Sequence, residues 1–181
     1  FLTCCSYEKN HNTIAIKNDK IDTSVQAVTK ENNYKKNNWT FGGFEGSEYI
    51  TPWHIIRTNI QYDRVEQRVP HLYIAALERY RTAITPLPVP PKKLLSYVVA
   101  NRDQWISLLR NHLGSNSKIY EKIGRGGIAY DGIGLLYYLD WRGYMRDTAT
   151  LILHEGWHQY TQITFKQSLN TFLFTQGAPN R

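Results

Sequence analysis

The amino-acid sequence predicts an α+β domain built on a small mixed sheet. Three observations carry that prediction. Apolar patterning alternates between short strand-like runs and helical stretches, in the order strand, helix, strand, helix, strand, helix. The 181 residues are 41% hydrophobic, enough for one domain with its own core. The last helical stretch carries two histidines four residues apart, a spacing that puts both on one helix face.

The elements follow in chain order. Residues 8–38 are rich in Asn and Lys and carry few apolar side chains. Such a segment buries too little to offset its ordering entropy, so residues 1–38 are expected to be a flexible tether and residues 39–181 the folded domain. In residues 49–60, Ile50, Trp53, Ile55, Ile56 and Ile60 predict a strand bent at Pro52. Val65, Val69, Leu72, Ala76, Tyr80 and Ile84 recur at three- and four-residue steps and predict a helix. The proline-rich run 86–91 ends it as a stiff connector. Residues 93–100 predict a buried strand, and residues 102–113 a helix with Trp105, Leu108 and Leu109 on one face. A break at 114–117 and a loop at 124–127 lead to a strand over 133–141. A last helix is expected over 147–165, with Asp147 or Thr148 as its N-cap. Gly124, Gly126, Gly127, Gly132 and Gly134 do not form a dinucleotide loop, because a strand follows them where a helix is needed. They read as turns and a hairpin.

Charge and cysteine usage narrow the function. The net charge of +7 could suit an acidic partner. The basic residues are scattered, however, with no long run interleaved with aromatics, so nucleic acid is not the expected partner. Cys4 and Cys5 are adjacent, which leaves the folded part without disulfides or cysteine-ligated zinc. Leu2-Thr3-Cys4-Cys5 resembles the end of a bacterial lipoprotein signal, with Cys5 (or Cys4) as the lipidated anchor. An extracytoplasmic, membrane-tethered location is the corresponding expectation.

Chemistry concentrates in Leu151-Ile152-Leu153-His154-Glu155-Gly156-Trp157-His158-Gln159, which contains H-E-x-x-H in helical context. Two imidazoles one turn apart can converge on a single zinc ion. Glu155, one position on, can reach a water activated by that metal without ligating it. A carboxylate there takes the proton as water attacks a peptide carbonyl and hands it to the leaving amine. His154 and His158 are therefore the expected zinc ligands and Glu155 the general base. His54, His71 and His112 read as structural or surface residues, and Tyr160 points elsewhere on the helix. The strand over 133–141 is the expected cleft-lining strand.

The chain resembles the bacterial peptidase-like family known as domain of unknown function 1570, within the thermolysin-like (gluzincin) zinc peptidases. The resemblance rests on His154-Glu155-Gly156-Trp157-His158-Gln159, supported by Trp53-His54-Ile55-Ile56-Arg57-Thr58, by the helix over 65–84 and by the unit over 94–105. It implies a zincin-like fold, a Zn²⁺ cofactor and a peptide or protein substrate. It also implies a third ligand, a Glu on a second helix in a segment like Leu-Pro-x-Trp-Leu-x-Glu-Gly. The matching stretch here, residues 168–178, contains no acid, and Gln176 precedes Gly177. Three explanations stay open. The chain is truncated or frame-shifted, it is an inactive member that binds peptide or glycan in the envelope, or an upstream carboxylate (Asp140, Asp147 or Glu121) completes the site.

Overall fold

The computed structural model describes residues 34–60, 62–83, 85–124, 126–138 and 146–165. Its centre is a six-stranded mixed sheet. The strands are β1 (Lys35–Phe41), β2 (Phe44–Ile50), β3 (His54–Thr58), β4 (Leu94–Val99), β5 (Gly127–Tyr130) and β6 (Ile133–Tyr137). Their spatial order is β1-β2-β3-β4-β6-β5. β3, β4 and β6 run parallel, while β1, β2 and β5 pair antiparallel with their neighbours. The helices are α1 (Asp63–Glu66), α2 (Arg68–Thr82), α3 (Arg102–Leu113), α4 (Ser117–Tyr120) and α5 (Arg146–Thr164).

Strand alternation sends successive side chains to opposite faces. On β4, Val98 joins a core with Ile56, Leu136, Val69 and Tyr73 of α2, and Ile152 of α5. Tyr97 and Val99 join a second core with Leu135, Tyr137 and Trp105, Leu108 and Leu109 of α3. The sheet therefore carries α2 and α5 on one face and α3 on the other. A third cluster cements α2 to α5 through Ala76, Leu77, Tyr80, Trp157 and Tyr160.

Several expectations are corrected. Lys35, Lys36, Asn37 and Asn38, assigned to the tether, lie in β1 and pair with Ile50, Tyr49, Glu48 and Ser47. Their polarity misleads because β1 is an edge strand whose lysines stay in water. The single bent strand over 49–60 is two strands, β2 and β3, which pair with each other. Thr51 makes the corner: its hydroxyl accepts from the Trp53 and His54 N–H groups at 3.2 and 2.8 Å. The helix expected over 65–84 is interrupted at Gln67. Pro70 has no N–H to give to Glu66 and its ring crowds that carbonyl, so α2 starts afresh with Pro70 in its first turn. The break at 114–117 holds a 3₁₀ turn and the start of α4. The hairpin expected among the glycines is present, with β5 and β6 paired through the two-residue turn Asp131-Gly132, but its first strand begins at Gly127, inside the expected loop. Neither Asp147 nor Thr148 caps α5. The helix has begun by Arg146, and Asp147 sits in its first turn, where a carboxylate suits the helix dipole.

The cysteine pair, the lipoprotein-like start, most of the tether and residues 168–178 lie outside the described residues. Among the described residues no helix is long and apolar enough to cross a membrane.

Candidate metal centre

α5 brings His154, Glu155 and His158 together. Its anchor to the sheet is Gln159, 1% exposed. The Gln159 amide nitrogen donates to the carbonyls of Leu95 (2.5 Å) and Gly132 (3.0 Å), and its oxygen accepts from Ser96 Oγ (2.9 Å). One side chain thus ties α5 to β4 and to the β5–β6 turn. On the α2 side, the Tyr80 hydroxyl donates to the carbonyl of Leu153 at 2.5 Å, one residue before His154. Gly156 makes room for it: a Cβ there would lie 2.8 Å from the Tyr80 oxygen. At the helix end, the Tyr160 hydroxyl donates to the Pro88 carbonyl at 2.6 Å, which fixes the proline-rich connector and takes Tyr160 away from the histidine pair. Gly132, at φ +75°, lets α5 approach still closer, since any Cβ would enter the Ile163 side chain.

The two imidazoles meet edge to face, with Nε2 atoms 3.2 Å apart. Two nitrogens on one tetrahedral zinc, each at about 2.0–2.1 Å, stand ~3.3 Å apart. The observed separation is close to that distance, and it also places the two nitrogens within hydrogen-bond reach of each other. Burial holds the His154 pKa below its ordinary value, and burial together with His154 does the same for His158. Both rings are therefore favoured in the neutral form, the one that ligates a metal.

Glu155 lies against the edge strand. Burial pushes its pKa up to about 7, against the opposing pull of the Ala129 N–H. The strand in question is β5, not the one expected. β6 lies inside the sheet between β4 and β5, so β5 forms the edge beside α5. The Gly126 carbonyl accepts from the Tyr137 N–H at 3.1 Å, which turns the backbones of Gly127 and Ala129 outward by strand alternation. At Ala129 that outward edge meets α5, where its carbonyl accepts from the Gln162 amide at 3.2 Å.

Other candidate ligands fare differently. Glu121 is held by Arg110 (2.8 and 2.9 Å) and by Ser117 (3.0 Å), beside α3 on the opposite side of the sheet from α5. Asp147 lies seven residues before His154, roughly 10 Å along the helix axis, too far to share one ion. Asp140 is outside the described residues. His54 is buried against Tyr73, His71 packs on Tyr34 and His112 on Tyr97. Among the described residues no group of three ligating side chains forms.

Sequence reasoning missed three contributors: Gln159, Tyr80 and β5. The Asp131-Gly132 pair between short apolar runs is a strong hairpin signal and could have revealed β5. Gln159 and Tyr80 gave none, since a buried amide and a helix-facing tyrosine look like surface and core residues in one dimension. No family model, curated protein or solved structure matches the chain.

Proposed function

We propose that this chain is a zinc-dependent metallopeptidase domain of the zincin type, with His154 and His158 as metal ligands and Glu155 as general base. The observation that carries the reading is the approach of two imidazoles, Nε2 atoms 3.2 Å apart, beside a half-buried carboxylate on the same helix. Zinc at such a pair supplies Lewis-acid activation of water and of a carbonyl oxygen. Glu155 does the proton work. Its carboxylate accepts a proton as water attacks and returns it to the leaving amine nitrogen. Burial around Glu155 favours proton uptake by its carboxylate. Gln159 and Tyr80 hold the helix that carries all three groups.

The reading includes the gluzincin resemblance and an extracytoplasmic, lipid-anchored setting through Cys5; residues 165–181 contain no Asp, Glu, His or Cys to serve as a third ligand. A second reading has one observation in its favour. No third ligating side chain joins the pair among the described residues, which suits a non-catalytic domain that binds peptide or glycan.

Hydrolysis separates the two. The full chain, supplied with zinc, is incubated with unfolded casein and a mixed peptide pool, beside Glu155→Gln at equal metal content. The proposal expects cleavage by the parent chain and a loss of roughly 10²–10⁴-fold in Glu155→Gln. Absence of cleavage by a zinc-loaded parent would favour the binding domain.

A further inference from the structure

The molecule has a concave site built by residues that the proposed metal centre does not use. It lies where β3, β4 and β6 end, at the carboxyl edge of the parallel strands. Asn59 and Ile60 follow β3, Ala100 and Asn101 follow β4, and Tyr138 follows β6. The β1–β2 hairpin closes one side with Gly43 of its turn and with Phe44 and Glu45 at the start of β2. The cleft encloses about 710 Å³, enough for a small organic ligand. None of its walls comes from α5 or β5.

Two amides give the cleft its chemistry. Asn59 Oδ1 and Gln104 Oε1 both accept from the Ala100 N–H, at 2.9 and 3.1 Å. Those bonds fix which end of each amide is oxygen, and so where each NH₂ group goes. Asn59 is 6% exposed and lines the cleft, yet its NH₂ group bonds no protein atom among the described residues. That NH₂ group is open to the cleft, where it can donate to a ligand's acceptor. Gln104 offers a second NH₂ alongside, and the Glu45 carboxylate offers acceptors.

The remaining walls decide the ligand class. No lysine or arginine lines the cleft among the described residues, although the chain carries a net charge of +7. The Glu45 carboxylate would repel a phosphate or carboxylate. Tyr62 is 63% exposed, with its ring 6.1 Å from Tyr138 and inclined to it by 47°. Planes at that angle do not sandwich a flat base, but a single exposed ring takes the apolar face of a sugar.

We propose that this cleft binds a neutral saccharide, with the Asn59 and Gln104 amides donating to ring or hydroxyl oxygens, Glu45 accepting from hydroxyls and Tyr62 stacking beneath the ring. The inference rests on the cleft alone and holds whether or not the chain cleaves peptides.

The test follows the side-chain amide signals of the full chain by ¹H–¹⁵N NMR during titration with maltose, cellobiose and N,N′-diacetylchitobiose. Phosphate, acetate and adenosine are titrated in parallel. The expected result is saturable shifts of the Asn59 and Gln104 NH₂ signals by at least one disaccharide, with a Kd of about 1 mM or tighter. Tyr62→Ala, an exposed position, and Asn59→Asp, which keeps the acceptor for Ala100, should each weaken binding by about tenfold. The proposal is overturned if no disaccharide shifts these signals. It is equally overturned if both variants bind as the parent does, or if phosphate, acetate or adenosine binds there instead. Chelation of metal should leave the titration unchanged, so failure here and failure of the peptidase reading remain distinct.

Discussion

The two faces of the sheet are built from different materials. The α3 face is built mainly on an apolar core: Trp105, Leu108, Leu109 and Leu135 are fully buried, and its polar contacts include the Trp105 Nε1–H donating to the Leu135 carbonyl at 2.8 Å and the Tyr137 hydroxyl donating to the Gly124 carbonyl at 2.9 Å. The face under α2 and α5 also buries Ser96, Gln159, Thr148, Tyr73 and Tyr80, and several of these reach backbone carbonyls. Burying polar groups is costly unless each is partnered, and a partnered network fixes geometry in a way that apolar packing does not. The α3 face holds the sheet together, while the α5 face sets the rotation and height of the helix that carries His154, Glu155 and His158.

Substitutions can break this contrast, and the largest effect belongs to the apolar face. Trp105→Ala should destabilise by about 3–5 kcal/mol in chemical denaturation, through lost burial and a cavity. Below its melting transition the variant should still hold zinc like the parent. A Trp105→Ala protein that is folded but has lost zinc would erase the proposed division of labour.

His54 gives an effect of similar size, but one set by pH. It is buried at the start of β3, and burial, helped by the Lys93 charge, pushes its pKa down to about 4. The unfolded chain therefore binds a proton more readily than the folded one between about pH 6.5 and 4. Stability from this group is present above pH 6.5 and is lost as pH falls through 4, by up to about 3 kcal/mol. Urea titrations across that range should show the fall, and His54→Gln should flatten it.

Gln159→Leu strands the Leu95 and Gly132 carbonyls and the Ser96 hydroxyl, for a cost of roughly 2–3 kcal/mol. Unlike Trp105→Ala, it should also weaken zinc binding measured on folded protein by competition with a chelator. Gly156→Ala drives a methyl toward the Tyr80 hydroxyl and should cost about 1–3 kcal/mol. At the bottom of the scale, Arg110→Ala breaks the exposed pair with Glu121 and should leave the thermal midpoint within error.

The same contrast explains what could be read from the sequence. Periodicity located α3, β4 and the course of α5 closely, because an apolar stripe is a one-dimensional signal of burial. It failed at β1, where Lys35 and Lys36 in an edge strand look like tether, and at β5, a four-residue strand hidden among glycines. The spacing of His154 and His158 made the meeting of the two imidazoles legible, because four residues along a helix is a distance in space. Gln159, Tyr80 and the amides of Asn59 and Gln104 were not legible. Their roles depend on carbonyls and N–H groups brought from other elements, and no local pattern records which backbone group a side chain will meet.

Metal content of the purified full chain, measured by mass spectrometry after exposure to zinc at neutral pH, tests the central claim most directly. His154→Ala/His158→Ala and Glu155→Gln are measured beside it. About one zinc per chain is expected in the parent and in Glu155→Gln, and none in the double histidine variant, as a helix-borne pair of imidazole ligands requires. A parent chain without zinc, or a double variant that still carries it, would contradict the assignment of His154 and His158 as a metal site.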